Sequence, residues 1–304
     1  MERASSSRER TTPAVHRLGT VGSTQDEATI RLDAGERTPF TLTARQQRAG
    51  RGRLGRAFAS PDGASLSLTH VHRSALAPAQ RGWFPLAAGV AALDALSAVL
   101  GDDAAADGVA LGLKWPNDLH TEDGRKLGGI LVEGRGADAV LLGIGMNLRG
   151  PVRHPDGTAV PGAAWLWGEG GIRPGTAPPQ QDTVREQLED ALAAALVEEL
   201  GRLESAGGDG TSAGLRQRYT MACLTVGRAV RIDPLGESGT RGAQPAPRHG
   251  VARGIDGHGR LVLDLGGGDQ VAVDVGDVRH LRSDESVRAT TDDAAGVGEE
   301  EHGT

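Results

Sequence analysis

Two lysines and two asparagines are the residues whose scarcity suggests chemistry. Lysine and arginine together number 33 in 304 residues, yet only Lys114 and Lys126 are lysine. Asn117 and Asn147 are the chain's two asparagines. Lysine offers a compact point charge, whereas arginine offers a planar fork of donors. Two lysines kept in the same short stretch therefore indicate positions that need a point charge near an anion.

Two segments carry candidate anion-binding groups. Gly50–Arg56 alternates glycines, which let a ligand approach the backbone, with arginines, which donate charge-assisted hydrogen bonds to carboxylate or phosphate. Its spacing is not that of a P-loop. Lys114–Asp118 puts an ammonium at a strand end, followed by an amide and a carboxylate on a turn. Lys114 can neutralise a transferring phosphoryl group, and Asp118 can help to hold Mg²⁺.

Two later motifs fall on predicted strands. Arg125–Glu133 begins with Lys126 and contains glycines where a ligand or a neighbouring backbone can come close. Gly143–Asn147 leaves room for a flat group, and the Asn147 amide can pair with an adenine edge. The spacing is not G-x-G-x-x-G, which argues against a Rossmann fold. Alone, Gly50–Arg56 also fits a solvated loop or an RGG-like RNA-binding segment. Lys114–Asp118 also fits a turn with a surface lysine, and Gly143–Asn147 an ordinary turn at a strand end.

Composition narrows the class of protein. A single cysteine, Cys223, excludes an intramolecular disulfide and a cysteine-based zinc site. The N-terminus lacks the apolar segment of a signal peptide, and Pro85 and Asp94 interrupt the longest apolar stretch, so we expect a cytoplasmic protein. The net charge is −7, but residues 284–304 hold seven carboxylates against Arg288. The remaining chain is nearly neutral, which disfavours a nucleic-acid partner.

The elements that must position these motifs follow from hydrophobic periodicity. Alternating runs at 40–44 and 64–72 predict strands, and three- and four-residue spacings over 83–100 and 183–203 predict helices. Ser23 or Thr24 is the predicted N-cap of an earlier helix. We predict an α+β fold with this organisation: a disordered arm at 1–14, a mixed-sheet domain with helices on one face at 15–208, a small β-barrel domain at 209–283 and an acidic disordered tail at 284–304.

Together, in this order and spacing, the four motifs resemble the biotin–protein ligase family. The resemblance runs from about Gly22 to Leu148 and from about Leu224 to Arg282. It implies a biotin/lipoate ligase-like catalytic domain followed by an SH3-like domain. It also implies that ATP, with Mg²⁺, converts biotin into biotinyl-5′-AMP, and that one lysine of a biotin carboxyl carrier domain, in acetyl-CoA carboxylase or a related carboxylase, then accepts the biotin.

The same resemblance implies which residues form the site. For biotin they are Ser23, Thr24, Gln25, Gln47, Arg51, Gly52, Arg53 and Lys126. For ATP and the adenylate they are Arg53, Lys114, Asn117, Asp118 and Asn147. Catalytic charge comes from Arg51, Arg53, Lys114 and Lys126, and the candidate Mg²⁺ ligand is Asp118. Phe58 stands where the family usually has tryptophan, and Trp165 and Trp167 are candidates to cover the adenine.

Several alternatives remain open at this stage. A lipoate or octanoate ligase would share the fold, although the Gly50–Arg56 and Lys114–Asp118 motifs favour biotin. An arginine-rich RNA-binding module would need more aromatics than the 3% present. A binding protein that has lost activity is disfavoured by the retained lysines and asparagines. The short stretch before the first motif favours a monofunctional ligase without a DNA-binding repressor domain. We expect no membrane partner and either a monomer or a homodimer.

Overall fold

The structure is a computed structural model, which describes residues 14–58, 63–101, 109–154, 156–173, 181–233, 246–274 and 276–281. The predicted acidic tail and most of the predicted arm lie outside these residues. Ala14, which we placed in the arm, begins the first strand instead.

Within the described ranges the chain forms two sheets, and the larger has seven strands. The elements up to residue 222 are β1 (Ala14–Val21), α1 (Thr24–Asp33), β2 (Phe40–Gln47), β3 (Ser65–Arg73), α2 (Phe84–Leu100), β4 (Leu111–Lys114), β5 (Asp118–Thr121), β6 (Lys126–Arg135), β7 (Ala139–Asn147), α3 (Gln181–Ser205) and α4 (Leu215–Ala222). The strand order is β1-β2-β3-β7-β6-β5-β4. The β1–β2 pair is parallel and the other pairs are antiparallel, so the sheet is mixed, as predicted.

Strand alternation divides the sheet into two faces. Along β7, Leu142 and Ile144 join the core that contains α2 and α3, whereas Leu141 joins a separate cluster with Ala28 of α1. Successive side chains of a strand point to opposite faces, so α1 lies opposite the two long helices. The prediction of helices on one face therefore holds for α2 and α3 but not for α1.

The start of α1 follows from its capping chemistry. Ser23, rather than Thr24, is the N-cap, and its Oγ accepts a hydrogen bond from the Gln25 amide at 3.2 Å. Asp26 and Glu27 lie in the first turn, where the helix dipole favours negative charge. The helix buries only Thr24, Gln25 and Ala28. Two of its three buried side chains are thus polar, which is unusual for a helix that serves only packing.

The smaller sheet is antiparallel and has five strands. They are β8 (Ala229–Asp233), β9 (Arg248–Ile255), β10 (Leu261–Gly266), β11 (Asp269–Val273) and β12 (Asp277–His280), in the order β11-β10-β9-β8-β12. This agrees with the predicted small C-terminal β domain. The hydrophobic periodicity did not predict β5, α4 or β12. The boundary at 208/209 stays a prediction, because α4 packs against α2 as well as against β9.

Indole donors join the two sheets. Trp83 Nε1 donates to the Gly257 carbonyl at 2.8 Å, and Trp115 Nε1 donates to the Gly259 carbonyl at 3.0 Å. Both carbonyls belong to the turn between β9 and β10. Buried indole N–H groups need acceptors, so these bonds favour one docking position of the small sheet.

Among the described residues, one helix is long and apolar enough to span a membrane. It comprises α2 and the 3-10 turn before it, Pro78–Leu100, and 61% of its most apolar stretch is buried inside the protein. Phe84, Leu86 and Leu96 of this helix belong to the main hydrophobic core. Its apolar surface is therefore used for packing against the sheet and α3.

Candidate active site

A cavity of about 490 Å³ opens on the sheet face that carries α1. This volume lies in the usual range of small-molecule sites. Every residue assigned to the site from sequence lines the cavity: Ser23, Thr24, Gln25, Gln47, Arg51, Gly52, Arg53, Lys114, Asn117, Asp118, Lys126 and Asn147. Residues far apart in sequence thus meet in one place.

One end of the cavity has a floor of uncharged polar groups. Gln47 Oε1 accepts hydrogen bonds from the Thr24 amide at 2.8 Å and from the Thr24 hydroxyl at 3.1 Å. Gln47 Nε2 donates to Ser67 Oγ at 3.2 Å, and Thr69 Oγ1 donates to Thr24 Oγ1 at 2.8 Å. This network ties α1 to β2 and β3 and fixes donors and acceptors before a ligand arrives.

Gln25 adds a buried acceptor to this floor. Its Nε2 donates to the Leu131 carbonyl at 3.0 Å, while its Oε1 is buried without a hydrogen-bond partner among the described residues. A buried unpaired acceptor is costly, so it fits a ligand N–H donor. Gly143 makes room for this side chain, because a Cβ there would lie 2.7 Å from Gln25 Nε2.

The Gly50–Arg56 segment forms a small hairpin over the cavity. The Gly52 amide donates to the Arg56 carbonyl at 2.7 Å, and Arg51 bridges to Ala57. Arg51 Nη2 lies 2.9 Å from Asp26 Oδ1, and Arg53 Nη1 donates to Asn117 Oδ1 at 2.6 Å. The two arginines thus attach the hairpin to α1 and to the turn between β4 and β5.

Phe58 follows this hairpin and packs against β7. A Cβ at Gly145 would lie 2.6 Å from its ring. The room for a flat group that the glycines of β7 predict is therefore used, at Gly145, by an aromatic side chain of the protein itself.

Both lysines lie beside Asp118. Lys114 is the register partner of Asp118 in the β4–β5 hairpin, and Lys126 Nζ lies 2.7 Å from Asp118 Oδ1. Burial opposes the charged carboxylate, but His120, whose Nε2 is 3.8 Å from Asp118 Oδ2, and Lys126 outweigh it and lower the pKa of Asp118 to about 2. Asp118 therefore stays ionised at neutral pH and holds Lys126 in place.

We expect Asp118→Asn to destabilise the protein in a pH-dependent way. A pKa that falls from 3.8 to about 2 on folding corresponds to about 2 kcal/mol of stability. This contribution is complete above pH 4 and is lost as the pH falls through 2, because the folded-state pKa is the lower one. Urea unfolding at pH 7 and at pH 3 should show the difference between variant and wild type shrinking in acid.

The exposed Arg73–Asp138 ion pair provides the control for this measurement. Arg73 Nη1 lies 2.7 Å from Asp138 Oδ1, with both side chains about half exposed. Asp138→Asn should change the stability much less, because exposed pairs are screened by water. Equal unfolding free energies for Asp118→Asn and wild type at pH 7 would show that the Asp118–Lys126 pair does not stabilise the fold.

The predicted Mg²⁺ role of Asp118 does not fit this donor set. One oxygen is occupied by Lys126 and the other faces His120. Within the described ranges, no group of three or more His, Cys, Asp or Glu side chains could hold a metal ion. Mg²⁺ is often bound mainly by water and substrate phosphates, so this arrangement leaves room for a metal that arrives with a nucleotide.

Asn147 organises the segment beyond β7. Its Nδ2 donates to the Ala164 carbonyl at 2.9 Å, and the Leu166 amide donates to the Asn147 carbonyl at 3.2 Å. Trp167 is buried in the core, and Trp165 packs against Gly150. Neither tryptophan is among the residues that line the cavity, so the geometry does not support their role in covering adenine. That end is lined by Val152, His154, Val160 and Pro161.

The small sheet also contributes to the cavity, which the sequence did not reveal. Gly276 and Val278 line it together with Lys114 and Trp115. The signal for β12 is weak, because it is a short strand with charged residues at alternate positions. Its pairing with β8, rather than its own sequence, brings Val278 to the site.

Comparisons with known proteins bear on this geometry. Residues 22–147 match the biotin/lipoate A/B protein ligase family, and residues 239–281 match the biotin protein ligase C-terminal domain. The biotin–[acetyl-CoA-carboxylase] ligase of Mycobacterium tuberculosis is 33% identical over 265 residues, which cover 86% of each chain. This chain belongs to the biotin protein ligase family. The prediction of an ATP-dependent biotin–protein ligase is confirmed.

Two further comparisons show how much of the chain resembles other biotin protein ligases. The bifunctional ligase/repressor of Escherichia coli is 39% identical over 109 residues, about a third of each protein. A biotin protein ligase of Aquifex aeolicus, solved in complex with biotin and ATP, covers 88% of this ligase and 99% of its own chain, with a TM-score of 0.63 and 21% identity. The α+β fold with a small C-terminal domain is thereby confirmed for this ligase.

Proposed function

We propose that the described cavity activates biotin with ATP and passes it to a lysine of a biotin carboxyl carrier domain. The observation that carries the proposal is the meeting, in one cavity, of an uncharged polar floor with a cluster of cations. The floor includes the buried, unpaired Gln25 Oε1, and the cations include Arg53, Lys114 and Lys126. These two halves suit an uncharged ring with hydrogen-bonding edges and an anionic reaction centre.

The polar floor suits the ureido ring of biotin. Such a ring has two N–H donors and one carbonyl acceptor, and Gln25 Oε1 supplies an acceptor while hydroxyls of Ser23 and Thr24 supply further partners. A site whose buried polar groups need a ligand to satisfy them rejects analogues that lack those groups. Lipoate and octanoate have no ureido group, so the floor favours biotin over them.

The cation cluster suits adenylate formation. A carboxylate oxygen of biotin attacks the α-phosphorus of ATP, the bond from that phosphorus to the bridging β-phosphate oxygen breaks, and pyrophosphate leaves with the electron pair. Lys114 stabilises charge on the α-phosphate, and Lys126, oriented by Asp118, binds the biotin carboxyl group. Asn147 donates to the Ala164 carbonyl and thereby shapes the end of the cavity that we assign to adenine.

The hairpin over the cavity protects the product of this step. A mixed anhydride hydrolyses in water, so excluding solvent preserves it. Arg53 Nη1 donates to Asn117 Oδ1 at 2.6 Å, which holds the hairpin over the cavity and places a positive charge near the carboxylate and phosphate. Arg51 holds the hairpin at a second point, because its Nη2 lies near Asp26 Oδ1 and 3.2 Å from Glu133 Oε2.

In the second step, the acceptor lysine amine attacks the acyl carbon of the adenylate and AMP leaves. The names of the M. tuberculosis and Paracoccus denitrificans relatives specify acetyl-CoA carboxylase, which supports the carrier domain of such a carboxylase as the acceptor. Mg²⁺ would enter with ATP and neutralise the departing pyrophosphate. We place this reaction in the cytoplasm, where ATP and carboxylases meet.

The direct test is adenylate formation by the purified chain. The protein is incubated with Mg²⁺ and α-labelled ATP, with biotin in one tube and lipoate in another. Labelled adenylate with biotin alone is the expected result. Adenylate with lipoate alone would show that the substrate is lipoate rather than biotin. No adenylate with either acid would overturn the proposed activity.

A further inference from the structure

The edge of the seven-stranded sheet that carries Lys114 is covered by chain from beyond α4. Leu113 of β4 bridges in parallel to Cys223, and the Leu224 amide donates to the Leu113 carbonyl at 2.8 Å. Next along, the Trp115 amide donates to the hydroxyl of Thr225, rather than to a backbone carbonyl, at 3.1 Å. The backbone that follows Lys114 is therefore held by one side-chain oxygen.

That hydroxyl also contacts the small sheet. Thr225 Oγ1 lies 3.1 Å from His280 Nε2, on β12, the strand whose Val278 lines the cavity. Burial, together with the charges of Lys114, Arg228 and His120, lowers the pKa of His280 to about 4. The ring is therefore neutral at pH 7, and its Nε2 can accept the Thr225 proton while the Thr225 oxygen accepts the Trp115 amide.

Several features make Thr225 suited to a positioning role rather than to general packing. Its side chain is completely buried, and Trp115 is only 2% exposed. The Trp115 indole is fixed separately by the Gly259 carbonyl. The residue next to Lys114 is thus anchored twice to the C-terminal part of the chain. A change in the direction of this peptide would move the Lys114 side chain with it.

We propose that Thr225 is a positioning residue for the ATP-dependent step, linking His280 of the small sheet to the backbone that orients Lys114. This inference rests on the proposed function of the cavity. The inference predicts that a change at Thr225 affects only one of the two halves of the site. The polar floor belongs to α1, β2 and β3, which Thr225 does not touch in the contacts described, whereas Lys114 depends on Thr225 through the Trp115 amide.

The test replaces Thr225 with valine, which keeps the shape but removes the hydroxyl. In Thr225→Val the buried Trp115 amide loses its acceptor, so Lys114 should be misplaced. We expect kcat/KM for ATP in adenylate formation to fall about ten- to a hundredfold. The dissociation constant of biotin, measured by calorimetry without ATP, should stay within about twofold. Thr225→Ser should restore most of the rate, because it keeps the oxygen.

The chain contains a matched control for the loss of a buried Thr–His bond. Thr41 Oγ1 lies 2.9 Å from His70 Nδ1, both side chains are completely buried, and neither lines the cavity. Thr41→Val should lower the thermal midpoint without changing KM for ATP. Where Thr225→Val folds poorly, His280→Ala, at a half-buried position, should show a severalfold loss in the same ATP parameter.

The possible outcomes separate this inference from the proposed function. Wild-type kcat and KM for ATP in both Thr225→Val and His280→Ala would overturn the positioning role alone. Equal effects of Thr225→Val and Thr41→Val on activity, or no rescue by Thr225→Ser, would also overturn it. A wild-type chain that forms no adenylate would overturn the proposed function and this inference together.

Discussion

Lys114→Ala should nearly abolish adenylate formation while the protein stays folded. Lys114 lines the cavity beside Trp115 and is the register partner of Asp118. Removing a positioned charge that stabilises a transition state costs about a hundred- to a thousandfold in rate. The loss should appear in adenylate formation under saturating biotin and ATP, and biotin affinity should change little. Rapid-quench assays with labelled ATP would measure the rate, and circular dichroism would check folding.

Lys114→Arg is the informative companion variant. It keeps the positive charge but replaces a compact ammonium with a planar fork, so it should recover only part of the rate. Full recovery would show that charge alone matters at this position. A wild-type rate of adenylate formation in Lys114→Ala would contradict the mechanism proposed for the cavity.

Arg53→Gly should let the adenylate escape before transfer. The substitution removes the contact of 2.6 Å that attaches the hairpin to Asn117, as well as the charge above the anhydride. We expect the release of biotinyl-adenylate to rise by about tenfold or more, which corresponds to losing about 1.4 kcal/mol or more of retention. Biotin should then appear on bystander proteins that carry no acceptor domain. Streptavidin blotting of an added lysine-rich protein measures this.

The control for Arg53→Gly is an arginine outside the cavity. Arg135 lies near the end of β6 and pairs with Asp33 at 3.2 Å, with its side chain about half exposed. Arg135→Gly should leave bystander labelling at the wild-type level. If Arg53→Gly released the adenylate no faster than the wild type, the hairpin would not be what retains it.

The site was more predictable from sequence than the fold around it. Ser23, Gln47, Lys114 and Asn147 lie far apart in the chain, yet their meeting in one cavity could be predicted, because the order and spacing of the four motifs resemble a known family. Such chemistry depends on residue identity, which the sequence states directly. Their roles in binding and catalysis stay predictions until the variants above are measured.

The missed elements share a physical cause. The strands β5 and β12 have four residues each, too few to show a period, and α4 buries only Leu215 and Tyr219. These elements form because tertiary contacts favour them, which local propensity does not report. The candidates Trp165 and Trp167 raise a similar difficulty. Aromatic rings suggest stacking on a base, but here Trp167 is buried in the core and Trp165 packs against Gly150.

The scarcity of lysine limits where the ligase's own product can react with it. An acyl adenylate acylates amines, and the ε-amines of this chain belong to Lys114 and Lys126, both in the cavity wall. The other 31 basic side chains are arginines, whose guanidinium groups stay protonated and are poor nucleophiles. Outside the cavity, the surface therefore offers no lysine amine for self-biotinylation. A leaking variant should label lysine-rich neighbours more than its own outer surface.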